Sequence, residues 1–279
     1  MDILVDFFTQ KWPSGPEVCL TAFAIFHSAR VKKIERAGGR ELFWAESLIL
    51  TFFMAFGGGI LAPFLLGKPP VFFVNDLMVP LVAGAWFLTN RAEGPVAAFL
   101  KTPIMKHVVL VLAETARGNT ICGVVVTAMS VLRASKYYPI PLWGPVLLGT
   151  IAGCGGIFLP LDKGLQGVKH GAPWPLQSAF YGSAFFHLMV HDPNVGPHLR
   201  EAAGYVIEGE PVAVAKTLVV MFFCACALAQ TIWGPTFNPF TPAHNVLYRV
   251  TGVPRPGAIA SPPATATATA EGEDKPKEE

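Results

Sequence analysis

The sequence predicts an all-α polytopic membrane protein, and three observations carry that reading. Of its 279 residues 52% are hydrophobic and only 14% charged, against about 25% charged in soluble domains. The runs 42–67 (LFWAESLILTFFMAFGGGILAPFLLG) and 212–233 (VAVAKTLVVMFFCACALAQTIW) each exceed the ~20 apolar residues that a bilayer crossing needs. Further apolar segments fill the chain between them, and the mean hydropathy is +0.46. The net charge of +2 points to no acidic partner and no nucleic acid.

Seven spans are expected, at about 16–32, 42–67, 71–89, 104–132, 140–160, 174–191 and 212–233. The first rests on a short apolar stretch, CLTAFAIFHSA, and the third carries Asn75, Asp76 and Pro80. Residues 1–235 make up the transmembrane domain and 236–279 a tail. From about Ile259 that tail is low in complexity and polar, a composition that buries no core and predicts disorder. The N-terminus (MDILVDFFTQKW) lacks the basic and apolar regions of a signal peptide. Cys19, Cys122, Cys154, Cys224 and Cys226 all fall in the spans, form no CxxC, and read as packing residues.

Lysine and arginine set the orientation, because they collect on the cytoplasmic side. Of the 21, thirteen follow spans one, three, five and seven, five lie on the opposite side, and Lys106, Arg117 and Lys216 lie within spans. That places the N-terminus in the lumen or outside and the C-terminus in the cytosol. The chain ends KPKEE, and Lys275 and Lys277 match the dilysine signal that returns membrane proteins to the endoplasmic reticulum.

Spans two and five share a pattern. GGGILAPF (57–64) aligns with CGGIFLPL (154–161), so that Gly58-Gly59-Ile60 and Pro63 fall on Gly155-Gly156-Ile157 and Pro160. Two similar three-span units, about 16–89 and 104–191, in opposite orientations make an inverted repeat, with span seven left over. Glycine and proline both weaken a helix. Broken backbone in a membrane is tolerated where protein or a water-filled cavity receives it. Gly57, Gly58, Gly59 and Pro63, with Gly153, Gly155, Gly156 and Pro160, are therefore the expected kinks around a shared pore. The competing explanation is close helix packing through small residues.

Intramembrane charges mark pathways or partners. Glu114 and Arg117 are three apart on span four, share a helix face and are expected to pair. Lys106, near the end of the same span, snorkels or meets an anionic lipid head group. Glu46, Ser47, Asp162, Lys163 and Lys216 are weaker candidates for an entrance. His187 and His191 have the four-residue spacing of a metal pair, but Leu188 stands where a metalloprotease motif needs glutamate, so no metal is assigned. There is no P-loop, GxGxxG or GxSxG of an enzyme site, and no TVGYG filter. No enzyme and no cofactor is expected. A channel and an inverted-repeat secondary transporter both suit the pattern; the scarcity of acidic residues deep in the spans favours the channel.

The stretches FGGGILAPFLLGKPP (56–70) and AFYGSAFFHLM (179–189) resemble the second and sixth helices of the trimeric intracellular cation channels. That family's fourth helix carries Lys-Glu-Val-x-Arg-x-x-Lys. Here the stretch reads Ala113-Glu114-Thr115-Ala116-Arg117-Gly118-Asn119-Thr120. Glu114 and Arg117 match, and Ala113 and Thr120 replace the lysines. The resemblance implies seven spans as two inverted repeats plus a seventh helix, and a homotrimer with one pore per protomer. It implies potassium conduction across the endoplasmic or sarcoplasmic reticulum membrane, as counter-ion current during calcium release. It also implies a phosphoinositide lipid against Arg117, a contact that Ala113 weakens by removing the first lysine.

Overall fold

The computed structural model describes residues 2–39, 41–92, 95–100, 102–159, 161, 165–168 and 171–252. Among them the chain forms helices and no strand. Pro160, Asp162, Lys163, Lys275 and Lys277, and the stretch from Ile259 onward, lie outside the described residues.

A short helix α1 (Asp2–Phe8) leads into α2 (Gly15–Gly38), α3 (Trp44–Leu65), a single turn α4 (Val71–Val74) and α5 (Met78–Asn90). After α6 (Pro95–Leu100) come α7 (Pro103–Val131), α8 (Trp143–Cys154) and α9 (Trp174–His191). Then α10 (Gly196–Gly204), α11 (Pro211–Trp233) and α12 (Thr241–Thr251) follow. Each of the seven predicted segments holds a helix. By length and composition α3, α7 and α11 are able to cross a membrane, while α5 and α8 with its extension are shorter apolar helices.

Three segments differ from the expectation. The first helix is longer than 16–32: it runs on through RVKKIERAG and stops where Gly39 adopts φ 62, a left-handed C-cap suited to glycine. Arg30, Lys32, Lys33 and Arg36 therefore ride on a helix end and not in a loop. The third segment is two helices. Asn75 ends α4, and its Oδ1 accepts the Leu77 N–H at 3.1 Å, an Asx turn that competes with helix. The fifth is shorter than 140–160. Pro139 and Pro141 precede its start at Trp143, and after Cys154 the backbone tightens into a 3-10 turn over Gly155–Ile157.

Local signals account for the firm ends. Thr102 caps α7 by accepting the Met105 N–H, and Pro103 follows at the first helical position. Glu210 caps α11 by accepting the Ala213 N–H at 3.0 Å, again ahead of a proline.

Three apolar clusters result, the smallest joining α3, α7 and α8 through Ala62, Ala128 and Leu148. Ala24, Phe56, Met78 and Val82 join α2, α3 and α5. Ile121, Cys154, Phe186, Met189 and Phe223 join α7, α8, α9 and α11. The halves meet where α2 packs on α7 and α3 packs on α8. In lipid, apolar burial drives helix association weakly, so close packing and hydrogen bonds carry it. The N-terminal helix is held in the same way: Asn119, mid-way along α7, donates to the Phe8 carbonyl at 2.7 Å.

Candidate functional site

The two glycine clusters lie against each other. A Cβ on Gly57 would sit 2.7 Å from the Gly156 nitrogen, and one on Gly156 would sit 2.5 Å from the Met54 carbonyl oxygen. A Cβ on Gly58 would overlap the Ala152 backbone, and one on Gly155 would overlap Gly58 itself. Backbones this close leave no room for any side chain. Gly59 is different, since its nearest neighbour would be Val71 Cγ2 at 3.7 Å. The clusters also act differently on their own helices. α3 continues as α-helix through Gly57–Gly59 and holds Pro63 in its last turns, whereas at Gly155 the α8 backbone changes to 3-10.

Beside this crossing is a cavity of about 160 Å³. Phe23, Phe26, His27 and Arg30 line it from α2, and Gly58 from α3. Ala113, Glu114 and Arg117 line it from α7, with Gly153, Gly155 and Gly156 from α8 and its extension. The structure thus brings together Glu114, Arg117 and four of the six predicted glycines. It leaves Gly57 buried in the crossing and Gly59 on the α4 side.

Arg117 organises the far wall. It is only 8% exposed. Its Nη1 donates to Glu114 Oε2 at 2.9 Å, forming the expected ion pair. Nε donates to the Gly153 carbonyl at 2.9 Å, and Nη2 donates at 2.7 Å to both the Pro175 carbonyl and Ser178 Oγ. Four of the five guanidinium N–H groups are so engaged. The Phe223 ring covers the guanidinium carbon at 4.8 Å, a cation–π contact. Gly153 belongs to the last turn of α8, whose carbonyls have no partner within the helix. A cation at that end also complements the helix dipole. Arg117 therefore ties α7, α8, α9 and α11 together.

On the α2 side His27 rests edge-on against Phe23 and Phe26, with ring centroids 4.5 and 5.4 Å away, and its Nδ1 is buried without a hydrogen bond. His27 and Arg30 are site residues that sequence reasoning missed. The signal was available: Phe23, Phe26, His27 and Arg30 stand at i, i+3, i+4 and i+7, one helix face.

Other predicted residues lie elsewhere. Lys106, exposed, lines an apolar groove of about 540 Å³ with Arg30, Lys33 and Leu110. Ser47 is buried and accepts the Trp86 indole N–H at 3.1 Å, away from the cavity. His187 is fully buried, and its ring centroid is 5.6 Å from that of His191. Among the described residues no group of three or more metal-ligating side chains is assembled. Beyond α9, buried Asp192 accepts from the Tyr138 hydroxyl and from the Asn194 and Val195 N–H groups. Those bonds, the tyrosine's first, hold its carboxyl below the ordinary range, and the same bond pushes the Tyr138 hydroxyl up.

Comparison with solved structures places this arrangement. A trimeric intracellular cation channel from C. elegans without Ca2+ superposes with a TM-score of 0.57, over 85% of this chain and 99% of that one, at 19% identity. The fold is that of the trimeric intracellular cation channels. A C. elegans channel of this kind with bound Ca2+ gives a TM-score of 0.55 over 83% of this chain and 97% of that one, at 21% identity. A TRIC counter-ion channel, described for its activity in calcium release, gives 0.52 over 82% and 99%, at 18% identity. No family model matches the chain, and no curated protein matches it by sequence. At such identities the likeness lies in the fold, while the Glu114–Arg117 pair and the glycine crossing stand on this chain's own geometry.

Proposed function

We propose that this protein is a monovalent-cation channel, conducting potassium across the membrane of the endoplasmic or sarcoplasmic reticulum as counter-ion current during calcium release. The observation that carries the reading is the cavity at the glycine crossing, where Arg30, Glu114 and Arg117 meet an otherwise largely apolar lining between helices of one chain of this fold. A pore inside each protomer needs such a cavity. Cations pass by exchanging water for weak polar contacts, and no covalent step is required. Arg117, with four of its five donors engaged, holds the wall in place. The neighbours are described as trimeric and intracellular, which supports a homotrimer in an internal membrane. The excess of lysine and arginine after spans one, three, five and seven supports a luminal N-terminus and a cytosolic C-terminus.

The internal packing supports the inverted repeat. α2 packs on α3 and α5 as α7 packs on α8 and α9. Across the halves, first helix meets first helix and second meets second. Gly58 and Gly155, equivalent in the sequence alignment of the two units, touch each other, as residues beside a pseudo-two-fold axis do. The proposal gives a phosphoinositide little hold on Arg117, whose donors already serve protein acceptors.

The test is to reconstitute the full-length protein in planar bilayers and record in asymmetric KCl. Unitary steps reversing near the potassium potential are expected. Membranes shown to contain protein yet silent under all voltages would sink the channel reading, and saturable, coupled flux in vesicles would put the transporter in its place.

A further inference from the structure

The charges around the cavity do not cancel. Arg117 and Glu114 form one pair, 2.9 Å apart, with the guanidinium otherwise spent on protein acceptors. Arg30 reaches the same cavity from α2, where Arg117 repels it and Glu114 attracts it. No hydrogen bond or ion pair joins Arg30 to another described residue. From α3 the lining is Met54, Ala55 and Gly58, and from α8 the only titratable side chain is Cys154. Among the described lining residues Glu114 is thus the one carboxylate, and it is paired with Arg117, so Arg30 is the cation there without a paired counter-charge.

We infer that Arg30 limits conduction through this cavity: it is the uncompensated positive charge that a permeating cation must pass. It thereby sets both the unitary conductance and the preference for cations over chloride. The inference rests on the channel reading above and deepens it. A fixed charge in a low-dielectric cleft changes the local ion concentration steeply, by tenfold or more where the walls exclude water. Charges closer together than the ~8 Å Debye length at physiological salt are only weakly screened from one another. Sequence alone hides this effect. The lysine that the family motif places at 113 is absent, which predicts a less positive pore, but the neighbouring helix returns a positive charge through Arg30.

The experiment compares full-length wild type with Arg30→Gln, Arg30→Glu and Lys33→Gln in planar bilayers. Unitary conductance is read in symmetric KCl and reversal potential in a KCl gradient. Each variant is first shown to elute and melt like wild type. Arg30→Gln is expected to raise potassium conductance roughly two- to tenfold. Arg30→Glu should raise it further and move the reversal potential toward that of potassium. Lys33 lines the neighbouring apolar groove and not the cavity, so its glutamine variant should stay within about twofold of wild type. Unchanged or reduced conductance in Arg30→Gln overturns the inference and leaves the channel reading standing. An equal rise in Lys33→Gln overturns it too, since the effect would then be one of general surface charge. Silence from wild type and every variant alike overturns the channel reading itself.

Discussion

Gly58 and Gly59 are adjacent in α3, yet the same substitution should act on them with opposite sign. Replacing a helix-interior glycine by alanine stabilises by about 0.5–1 kcal/mol, because the unfolded chain loses freedom. At Gly59 little offsets that gain, since the new methyl would find Val71 Cγ2 at 3.7 Å, an ordinary contact. At Gly58 the methyl would overlap the Ala152 backbone and lie 2.7 Å from the Ile151 carbonyl oxygen. Overpacking costs about 1–3 kcal/mol where side chains are able to shift. Here the obstacle is the backbone of α8, so the upper end applies and the net loss is about 2 kcal/mol. The two purified variants would be unfolded by denaturant and by heat in one detergent and followed by circular dichroism. Gly59→Ala should match or exceed wild type, and Gly58→Ala should fall clearly below it. A Gly58→Ala protein as stable as wild type would refute the close crossing of α3 on α8.

One further prediction concerns the site and two concern contacts outside it. Replacing Arg117 by Met removes four hydrogen bonds and leaves Glu114 unpaired in a largely buried place, so it should cost about 3–5 kcal/mol in the same unfolding assay; pairing it with Glu114→Gln should recover part of the loss. Asp192 titrates below its ordinary value in the folded protein, so the stability it contributes is present above about pH 3.9 and is lost as pH falls through the lower folded value. Tyr138→Phe should flatten that acid limb, and denaturation curves between neutral and acid pH would show it. Finally, removing the Asn119 amide with Asn119→Ala frees the Phe8 carbonyl and should raise amide hydrogen exchange over residues 2–10, with little change along α9.

α3, α7 and α11 were legible because apolar runs of bilayer length leave few alternatives. The sixth span, at 174–191, was placed to the residue, fixed by Pro173 and Pro175 at one end and Asp192-Pro193 at the other. Three features were not legible. The polar turn at Asn75 reads from sequence as a tolerated interruption, yet its side chain closes an Asx turn and splits the helix. α12 carries an apolar stripe too short for a span and leaves Val246, Leu247 and Val250 exposed. Arg30 counts by composition as a loop cation, because the short apolar stretch before it suggests an early end; in the fold α2 simply continues. The Glu114–Arg117 pair was foreseen from spacing, which tests contacts within one helix. The partners of Arg117 on α8 and α9 are 36 and 58 or more residues away, and no spacing rule reaches them.

The glycine crossing, the arginine and the cavity are consequences of one another. Close approach of α3 requires that α8 present bare backbone, which Gly155 and Gly156 supply. The same glycines weaken the α-helix there, and the backbone tightens into a 3-10 turn. Ending the α-helix at Cys154 leaves carbonyls of its last turn unpaired, and one of them, on Gly153, is the acceptor that Arg117 Nε fills. An alanine in place of Gly155 would overlap Gly58 and push α3 away, and it would favour continuing the helix that now ends there. Continuation would let an amide further along α8 compete with Arg117 for the Gly153 carbonyl. The arginine is thus held where it is by the glycines as much as by Glu114. The two proposed roles of the clusters, close packing and a pore wall, describe the same backbone seen from its two sides.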